Sequence, residues 1–248
     1  MKARPNTPLL HTLLLALALA WTNGTHAASL QVAPTSVTVK AEQSASGLTL
    51  SNTGDADLHA QVRVFRWTQV DGEDKLEPTR DIAISPPMIK LASGAQQLVR
   101  VIRLGAPSAV EGSYRVIVDE LPAAAGKAGG KPGLEFVLRY SVPVFLMPQD
   151  ASDFVPELHA RVTAGQGGQT LEISNGGKQH AQVADLGHVD GKGQTTVIAA
   201  GLAGYVLPGQ TKRWILPSTF ASSAGGNFQA RINGEPDVQT LPLDASAR

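Results

Sequence analysis

Four histidines are the side chains best suited to acid–base or metal chemistry, since imidazole titrates near neutral pH and ligates metals. Outside the N-terminal segment they are His59, His159, His180 and His188. Zinc-dependent hydrolysis would place two of them in a His-Glu-x-x-His helix, and the sequence contains no such motif. His188 has aspartates on both sides, but a solvated hairpin end is the better interpretation. His59 and His180 occupy matching places in an internal repeat, which indicates a structural role at a strand start.

The other motifs that could do chemistry are also weak. Gly165–Gly168 resembles a phosphate loop, but a strand follows it instead of a helix with a lysine, so we interpret it as a hairpin turn. The sequence has no Gly-x-Ser-x-Gly elbow and no cysteine nucleophile. Trp67, Trp214 and Tyr205 could form a carbohydrate or nucleic-acid platform, but their scatter among strand residues favours core packing. We therefore expect no enzymatic activity, no cofactor and no metal.

The first 27 residues have the organisation of a secretory signal peptide. Lys2 and Arg4 form a basic start, and Leu9–Trp21 is an apolar run too short to span a bilayer. We expect cleavage after Ala27; a retained membrane anchor is the alternative, and the polar Asn23–Thr25 argues against it. Cleavage leaves 19 basic against 21 acidic residues, which gives no sign of a nucleic-acid partner. The rest of the chain is therefore expected to be exported, with no membrane insertion.

The elements that must position any functional side chain are almost all strands. Helical periodicity is nearly absent, whereas short apolar or alternating runs recur between Gly, Pro, Asn and Asp. The predicted strands are Val37–Val39, Leu48–Leu50, Ala60–Thr68, Leu98–Leu104, Tyr114–Leu121, Leu134–Leu146, Leu171–Ser174, Ala181–His188, Thr195–Ala199, Thr211–Leu216, Asn227–Ile232 and Val238–Leu241. Asp71-Gly72 and Asp190-Gly191 are typical of hairpin turns. This pattern predicts an all-β fold of sandwich type.

An internal repeat indicates two domains. Leu48–Gly54 and Leu171–Gly177 each end in a Ser-Asn turn, and a His-Ala-Gln-Val segment follows each. Chance similarity between turns is the alternative, because the match is short. The roughly 220 residues after the leader suit two sandwiches of about 100 residues each, held by hydrophobic cores without disulfides. We place the domains at 28–148 and 149–248, where Pro, Gln, Asp and Ser interrupt the apolar pattern.

The sequence of Gly112–Pro148 predicts two strands joined by a loop of small residues. The loop, Ala123–Gly133, is almost wholly Ala, Gly, Lys and Pro, and the strand after it is long and apolar. The start of that second strand places Leu134, Phe136, Leu138 and Tyr140 on one face. A long apolar strand beside a loop is an aggregation hazard unless something covers it or a partner uses it.

Several motifs occur in an order that resembles one protein family. They are Ile84-Ser85-Pro86-Pro87, Gln97–Val101, Glu111 before Tyr114-Arg115, Glu120-Leu121-Pro122, Val142–Phe145 and Gly204–Gln210. Together they resemble the periplasmic pilus-assembly chaperones of the chaperone–usher pathway, over nearly all of the exported chain. The Tyr-Arg and Arg-Tyr-Ser-Val-Pro-Val-Phe signatures look like the archaic, spore-coat-U-associated branch. The resemblance implies two immunoglobulin-like sandwiches set in an L.

The resemblance also implies a mechanism for the strand after the loop. These chaperones lend that strand to pilin subunits that lack their last strand, and deliver the subunits to an outer-membrane usher. The donor residues implied here are Leu134, Phe136, Leu138 and Tyr140. The alternative is that these four belong to the core of their own domain. We favour the donor interpretation because of the resemblance.

The expected anchor for the subunit's C-terminal carboxylate is different in this chain. The family uses an arginine on the first strand and a lysine late on the donor strand, and these places fall near Ser36 and Pro143 here. A buried carboxylate still needs a cationic partner, for which arginine has the best geometry. The strand arginines available are Arg100, Arg103, Arg115 and Arg139. Surface ion pairing is the alternative for each, and Arg100 in particular could pair with Glu111.

Two other functions stay open on the sequence. A two-domain surface adhesin or pilus subunit would carry an N-terminal extension of alternating apolar residues, and Ala28–Pro34 is too short for one. An exported enzyme on sandwich domains would need paired carboxylates or clustered histidines, which the sequence does not supply. An exposed apolar strand also predicts that the free protein could cap itself by forming a dimer.

Overall fold

The computed structural model describes residues 30–122, 137–150, 153–165, 168–218, 220 and 225–243. These residues form seventeen strands and no helix. The first ten are β1 Leu30–Ala33, β2 Val37–Val39, β3 Ala45–Asn52, β4 Leu58–Val70, β5 Glu73–Pro78, β6 Ile82–Ser85, β7 Met88–Leu91, β8 Gln96–Arg103, β9 Gly112–Leu121 and β10 Arg139–Leu146. The others are β11 Leu158–Gly165, β12 Gly168–Asn175, β13 Ala181–Val189, β14 Thr195–Val206, β15 Thr211–Ile215, β16 Asn227–Ile232 and β17 Gln239–Leu241. No helix in the described ranges is long and apolar enough to cross a bilayer.

Strands β1–β10 form the first sandwich. Sheet A has the order β1-β3-β8-β6, and sheet B has the order β2-β10-β9-β4-β5, with β7 also paired to β4. Alternating residues of both sheets point inward, as the period of two requires. The resulting core includes Leu48, Val99, Val116 and Val144, all buried.

Strands β11–β17 form the second sandwich. Sheet C has the order β11-β12-β15 and sheet D the order β14-β13-β16-β17. Its separate core includes Leu171, Val183, Leu186 and Phe228. The all-β prediction with two sandwiches is confirmed. The domain limits at 28–148 and 149–248 stay a prediction, with β10 ending at Leu146 and β11 beginning at Leu158.

A buried asparagine organises the repeated turn in each sandwich. The Asn52 side chain donates to the carbonyls of Ala56, Leu91 and Ala92 and accepts from the backbone N–H of Gly54. Asn175 is buried in the corresponding place. Its amide satisfies four backbone groups, those of Glu157, Gly177, Gln179 and Val206. The repeat noted in the sequence is therefore a shared structural device, because each amide supplies both donors and acceptors to a tight turn.

Predicted and observed strands agree best where alternation is clear. Strand β16 has the predicted limits, and Gly165 pairs with Gly168 as expected of a hairpin. Strands β1, β5, β6, β7 and β11 were not predicted from the sequence; β1, β6 and β7 have only four residues each, too few to show a period, and β5 is mainly polar. In the described residues β10 begins at Arg139, whereas the sequence predicted a start at Leu134. Leu134 and Phe136 lie outside the described residues.

Candidate functional site between the two sandwiches

Four apolar side chains from both sandwiches form a third buried cluster. Trp67 of β4 and Phe145 of β10 meet Tyr205 and Leu207 from the end of β14. The Trp67 and Tyr205 rings are edge-on, with centroids 5.3 Å apart. Aromatic pairs in this geometry add to the free energy of burial. The core packing expected for Trp67 and Tyr205 is confirmed, but it occurs between domains.

Gln69 and the Asp71-Gly72 hairpin fix the second sandwich to the first. The Gln69 amide donates to the Tyr205 carbonyl at 2.7 Å and accepts from the Leu207 N–H at 3.0 Å, so it pairs with backbone as a strand would. The predicted turn at Asp71-Gly72 is confirmed, with φ of 53° and 79°. It packs on Arg213, which donates to the Asp71 carbonyl, and a Cβ on Gly72 would overlap the Arg213 side chain.

The buried Glu111 and the partly buried His180 form a pair across the same interface. The Nδ1 of His180 lies 2.8 Å from a carboxylate oxygen of Glu111, and the His180 backbone N–H also donates to that oxygen. The imidazole stacks on Phe145 with centroids 3.5 Å apart. The suggested pairing of Arg100 with Glu111 is therefore wrong, because His180 takes the carboxylate. The expected structural role of His180 takes the form of a contact between domains.

The prediction that His188 lies at a solvated hairpin end is wrong. His188 is buried, and its ring contacts Phe220 and Phe228, both with centroids 4.9 Å away. No group of three or more metal-ligating side chains is present in the described residues.

Arg115 lies in the cleft between the sandwiches, against the aromatic cluster. Its Cζ is 3.7 Å from the centroid of the Trp67 ring and 5.3 Å from that of Tyr205. Burial desolvates the guanidinium and lowers the pKa of Arg115 from its ordinary value. Among the described residues no carboxylate forms an ion pair with it. The carboxylate of Asp74 acts on Arg115 only through its charge, without an ion-pair contact, so Arg115 is a half-buried cation whose N–H groups can still bind an anion.

The other three predicted arginines have different surroundings. Arg139 pairs with Asp119, and Arg100 is exposed on the outer face of sheet A. Arg103 is 9% exposed, and one of its nitrogens donates to the carbonyls of Val39, Lys40 and Met147. The structure therefore does not bring the four arginines together.

Each sandwich also carries one carboxylate between two arginines. Asp119 contacts Arg63 and Arg139 in the first, and Glu172 contacts Arg161 and Arg213 in the second. Burial alone would raise the pKa of Asp119, but the hydrogen bonds and charges of its two arginines outweigh burial and lower it. The hydrogen bond from Arg161 is the main reason that the pKa of Glu172 is also lowered.

These two carboxylates predict a loss of stability in acid. Folding lowers both pKa values, so their stabilisation is complete above the ordinary values of 3.8 and 4.5 and is lost as the pH falls through the lower folded values. We expect the urea midpoint to fall progressively as the pH drops below about 5. The double variant Asp119→Asn, Glu172→Gln should start lower and show a flatter decline; an equally steep decline would contradict the assignment.

Strand β10 has an open edge next to the cleft. It pairs with β9 along its whole length, but its other neighbour, β2, pairs only with Val144–Leu146. In the described part of the chain, no strand pairs with the β2 side of Arg139–Pro143. Such an edge offers unpaired N–H and C=O groups as a template for an incoming strand. Pro143 lacks an N–H, so the usable edge ends there.

The described donor candidates lie beside this edge. Leu138 and Tyr140 are half-buried against the core of their own sandwich. The Tyr140 hydroxyl donates to the Leu30 carbonyl at 2.6 Å, which brings β10 close to the edge strand β1 of the other sheet. Val137, on the opposite face, is 51% exposed. Leu134 and Phe136 cannot be compared, because they lie outside the described residues.

The sequence alone did not show that Gln69, Glu111 and Phe145 contact the second sandwich. A signal was present in the strand alternation. Val62 and Val64 point into the core, so Trp67 and Gln69 fall on the outer face of sheet B. An aromatic residue on an outer face indicates that something covers it.

The architecture and sequence match known proteins. The chain matches the family described as pili and flagellar-assembly chaperone, PapD N-terminal domain, over residues 29–152. The fold resembles a chain of the CsuC–CsuE chaperone–tip adhesion subunit pre-assembly complex from archaic chaperone-usher Csu pili of Acinetobacter baumannii, with a TM-score of 0.72, 24% identity, and coverage of 88% of this chain and 100% of that one. No curated protein matches the sequence.

Two further solved structures share the fold. For the CupB2 chaperone of Pseudomonas aeruginosa the TM-score is 0.58 and the identity 16%, with 86% of this chain and 100% of the other covered. For a chain of the Salmonella enterica SafA pilin–SafB chaperone complex the values are 0.61 and 18%, with 88% and 98% covered. Because the family match spans half of the sequence, the protein belongs to the pili and flagellar-assembly chaperones, as the motif order predicted.

Proposed function

We propose that this chaperone captures pilin-type subunits in the periplasm by lending them strand β10. The observation that carries the proposal is the open edge of β10 between Arg139 and Pro143, next to β1. An incoming strand that pairs there gains backbone hydrogen bonds that depend little on its sequence. The complexes named above, one with a tip adhesion subunit and one with a pilin, support subunits of this class as partners.

The side chains proposed to fill the subunit's groove are Leu134, Phe136 and Leu138. Tyr140 is proposed to lie at the end of the filled part of that groove. The Tyr140 hydroxyl bonds to the Leu30 carbonyl, which ties this side chain to its own sandwich. The role is binding and not catalysis. Signal cleavage after Ala27, delivery to an outer-membrane usher and a self-capped dimer of the free protein belong to the same proposal, and the Csu likeness supports the archaic branch.

The subunit's C-terminal carboxylate is proposed to bind Arg115. A carboxylate in the cleft would meet a guanidinium that has no ion-pair partner among the described residues. Arg139 is already paired with Asp119, and Arg100 lies on the other sheet. Arg103 is buried but serves strand-end carbonyls. Arg115 therefore replaces the basic pair that the family places near Ser36 and Pro143.

Co-expression with a secreted pilin-type subunit from the same genome tests the donor strand. We expect the subunit to be degraded without the chaperone and to co-purify with it. Phe136→Asp should abolish co-purification, because a carboxylate cannot enter an apolar groove without a large desolvation cost. The matched control Val137→Asp alters the opposite, exposed face and should leave capture intact.

Circular dichroism separates the two interpretations of Phe136. Loss of capture with an unchanged melting temperature supports the donor role. Unfolding of Phe136→Asp would assign the residue to its own core, and a subunit that survives equally well without the chaperone would overturn the proposed function.

A further inference from the structure

The Arg115 guanidinium is held by side chains from both sandwiches. Trp67 of the first stacks under it and Tyr205 of the second lies at its side. Its remaining described contact is a long hydrogen bond of 3.4 Å from Nη1 to the Ser141 carbonyl. Aromatic faces attract cations, and the attraction grows where water is excluded.

Tyr205 is itself fixed in place. Its hydroxyl accepts a hydrogen bond of 2.8 Å from Gln182, and its carbonyl accepts one from Gln69 across the interface. Trp67 is almost completely buried in the same cluster. Neither ring can move far without breaking these contacts, so together they restrict where the guanidinium can lie.

A fixed guanidinium is a better receptor for a carboxylate than a mobile one. An arginine on a free side chain loses rotamer entropy when it binds, whereas a stacked arginine has lost much of it beforehand. Stacking uses the face of the planar group and leaves edge N–H groups to donate in the plane. The aromatic contacts thus leave Arg115 able to bind an anion.

We propose that Trp67 and Tyr205 are positioning residues for Arg115, so that the carboxylate site is built by both sandwiches. The inference rests on the proposed function and extends it, because the second sandwich then takes part in recognising the subunit's C-terminus. The competing explanation is that the four-residue cluster only seals the two domains together. If the rings position Arg115, losing one of them weakens binding of a free carboxylate more than binding of a neutral C-terminus. If the rings only seal the two domains together, the loss weakens both equally.

The experiment compares two peptides on the full exported chain. Both copy the C-terminal segment of a pilin-type subunit from the same genome, one with a free carboxylate and the other with a C-terminal amide. Calorimetry gives the ratio of the two affinities. We expect Tyr205→Leu to reduce the preference for the free carboxylate by about tenfold, since it removes one of two cation–π contacts. Tyr205→Phe keeps the ring and the bond from Gln69 to the backbone carbonyl and loses only the bond from Gln182, so it should lower the ratio less than Tyr205→Leu does.

Each outcome decides between the explanations. Equal weakening of both peptides by Tyr205→Leu leaves the ratio unchanged and overturns the positioning role in favour of a purely structural one. Trp67→Phe keeps an aromatic ring but attracts a cation more weakly, so it should also lower the ratio. It replaces Tyr205→Leu as the test variant if Tyr205→Leu does not fold. A wild-type protein with no preference for the carboxylate would overturn the Arg115 anchor itself, whereas a preference lost in Arg115→Gln but kept in Tyr205→Leu would overturn only this inference.

Discussion

Arg115→Gln is expected to lower the affinity for a pilin-type subunit by roughly 100-fold or more. Removing one partner of a buried, hydrogen-bonded charge pair costs about 2–5 kcal/mol, because the other charge stays in the interface without a counter-ion. Glutamine keeps much of the length of arginine and a hydrogen-bond donor but has no charge. The measurement is a competition titration. The subunit is kept soluble as a complex with a chaperone variant that binds it more weakly, and the chaperone under test displaces that variant.

The matched control is Arg100→Gln, on the outer face of sheet A. It changes the net charge equally and should leave the affinity within about twofold, as surface substitutions usually do. The melting temperatures of both variants should stay close to that of the parent. If Arg100→Gln weakened capture as much as Arg115→Gln, the effect would reflect overall charge, and the assignment of the anchor to Arg115 would be wrong.

Asn175→Ala is expected to destabilise the second sandwich by about 2–4 kcal/mol, because it leaves several buried backbone groups without partners. The side chain is 1% exposed and bonds to backbone groups of Glu157, Gly177, Gln179 and Val206. Chemical denaturation followed by fluorescence of Trp214, which packs against this core, measures the change.

Asn227→Ala, an exposed position on β16, is the control and should change the unfolding free energy by less than about 0.5 kcal/mol. Asn52→Ala should cost a similar amount in the first sandwich, because Asn52 makes the equivalent bonds. A negligible effect of both asparagine variants would contradict the structural meaning given to the repeat.

The sandwich fold was predictable because burial on one face leaves a period of two in the sequence. Strands such as β3 and β16 carry that pattern, and Asp71-Gly72 carries the turn chemistry of a tight hairpin. Strand β5 does not, because Glu73–Pro78 is a polar edge strand with little burial. Its formation depends on pairing with β4, which is information from outside the segment.

The site was less predictable because it depends on how two separate cores meet. Arg115 was one of four candidates in the sequence. Its contacts with Trp67 and Tyr205, and the ion pair that Arg139 makes with Asp119, are visible only in the folded structure. Trp67 and Tyr205 are far apart in the chain and no local pattern connects them. Outward-facing aromatic residues could have indicated a covered surface, but not the element that covers it.

The hairpin at Asp71-Gly72 has a practical consequence for engineering. Turn tips are ordinarily the safest places to insert a tag or a fluorescent reporter. This turn packs directly against Arg213 of the second sandwich, so an insertion there would force the sandwiches apart and disturb the cleft. The turn at Asp190–Gln194 is solvent-facing, and a Cβ on its Gly193 would meet nothing within 4 Å. Labels for following subunit transfer in living cells belong at this second turn.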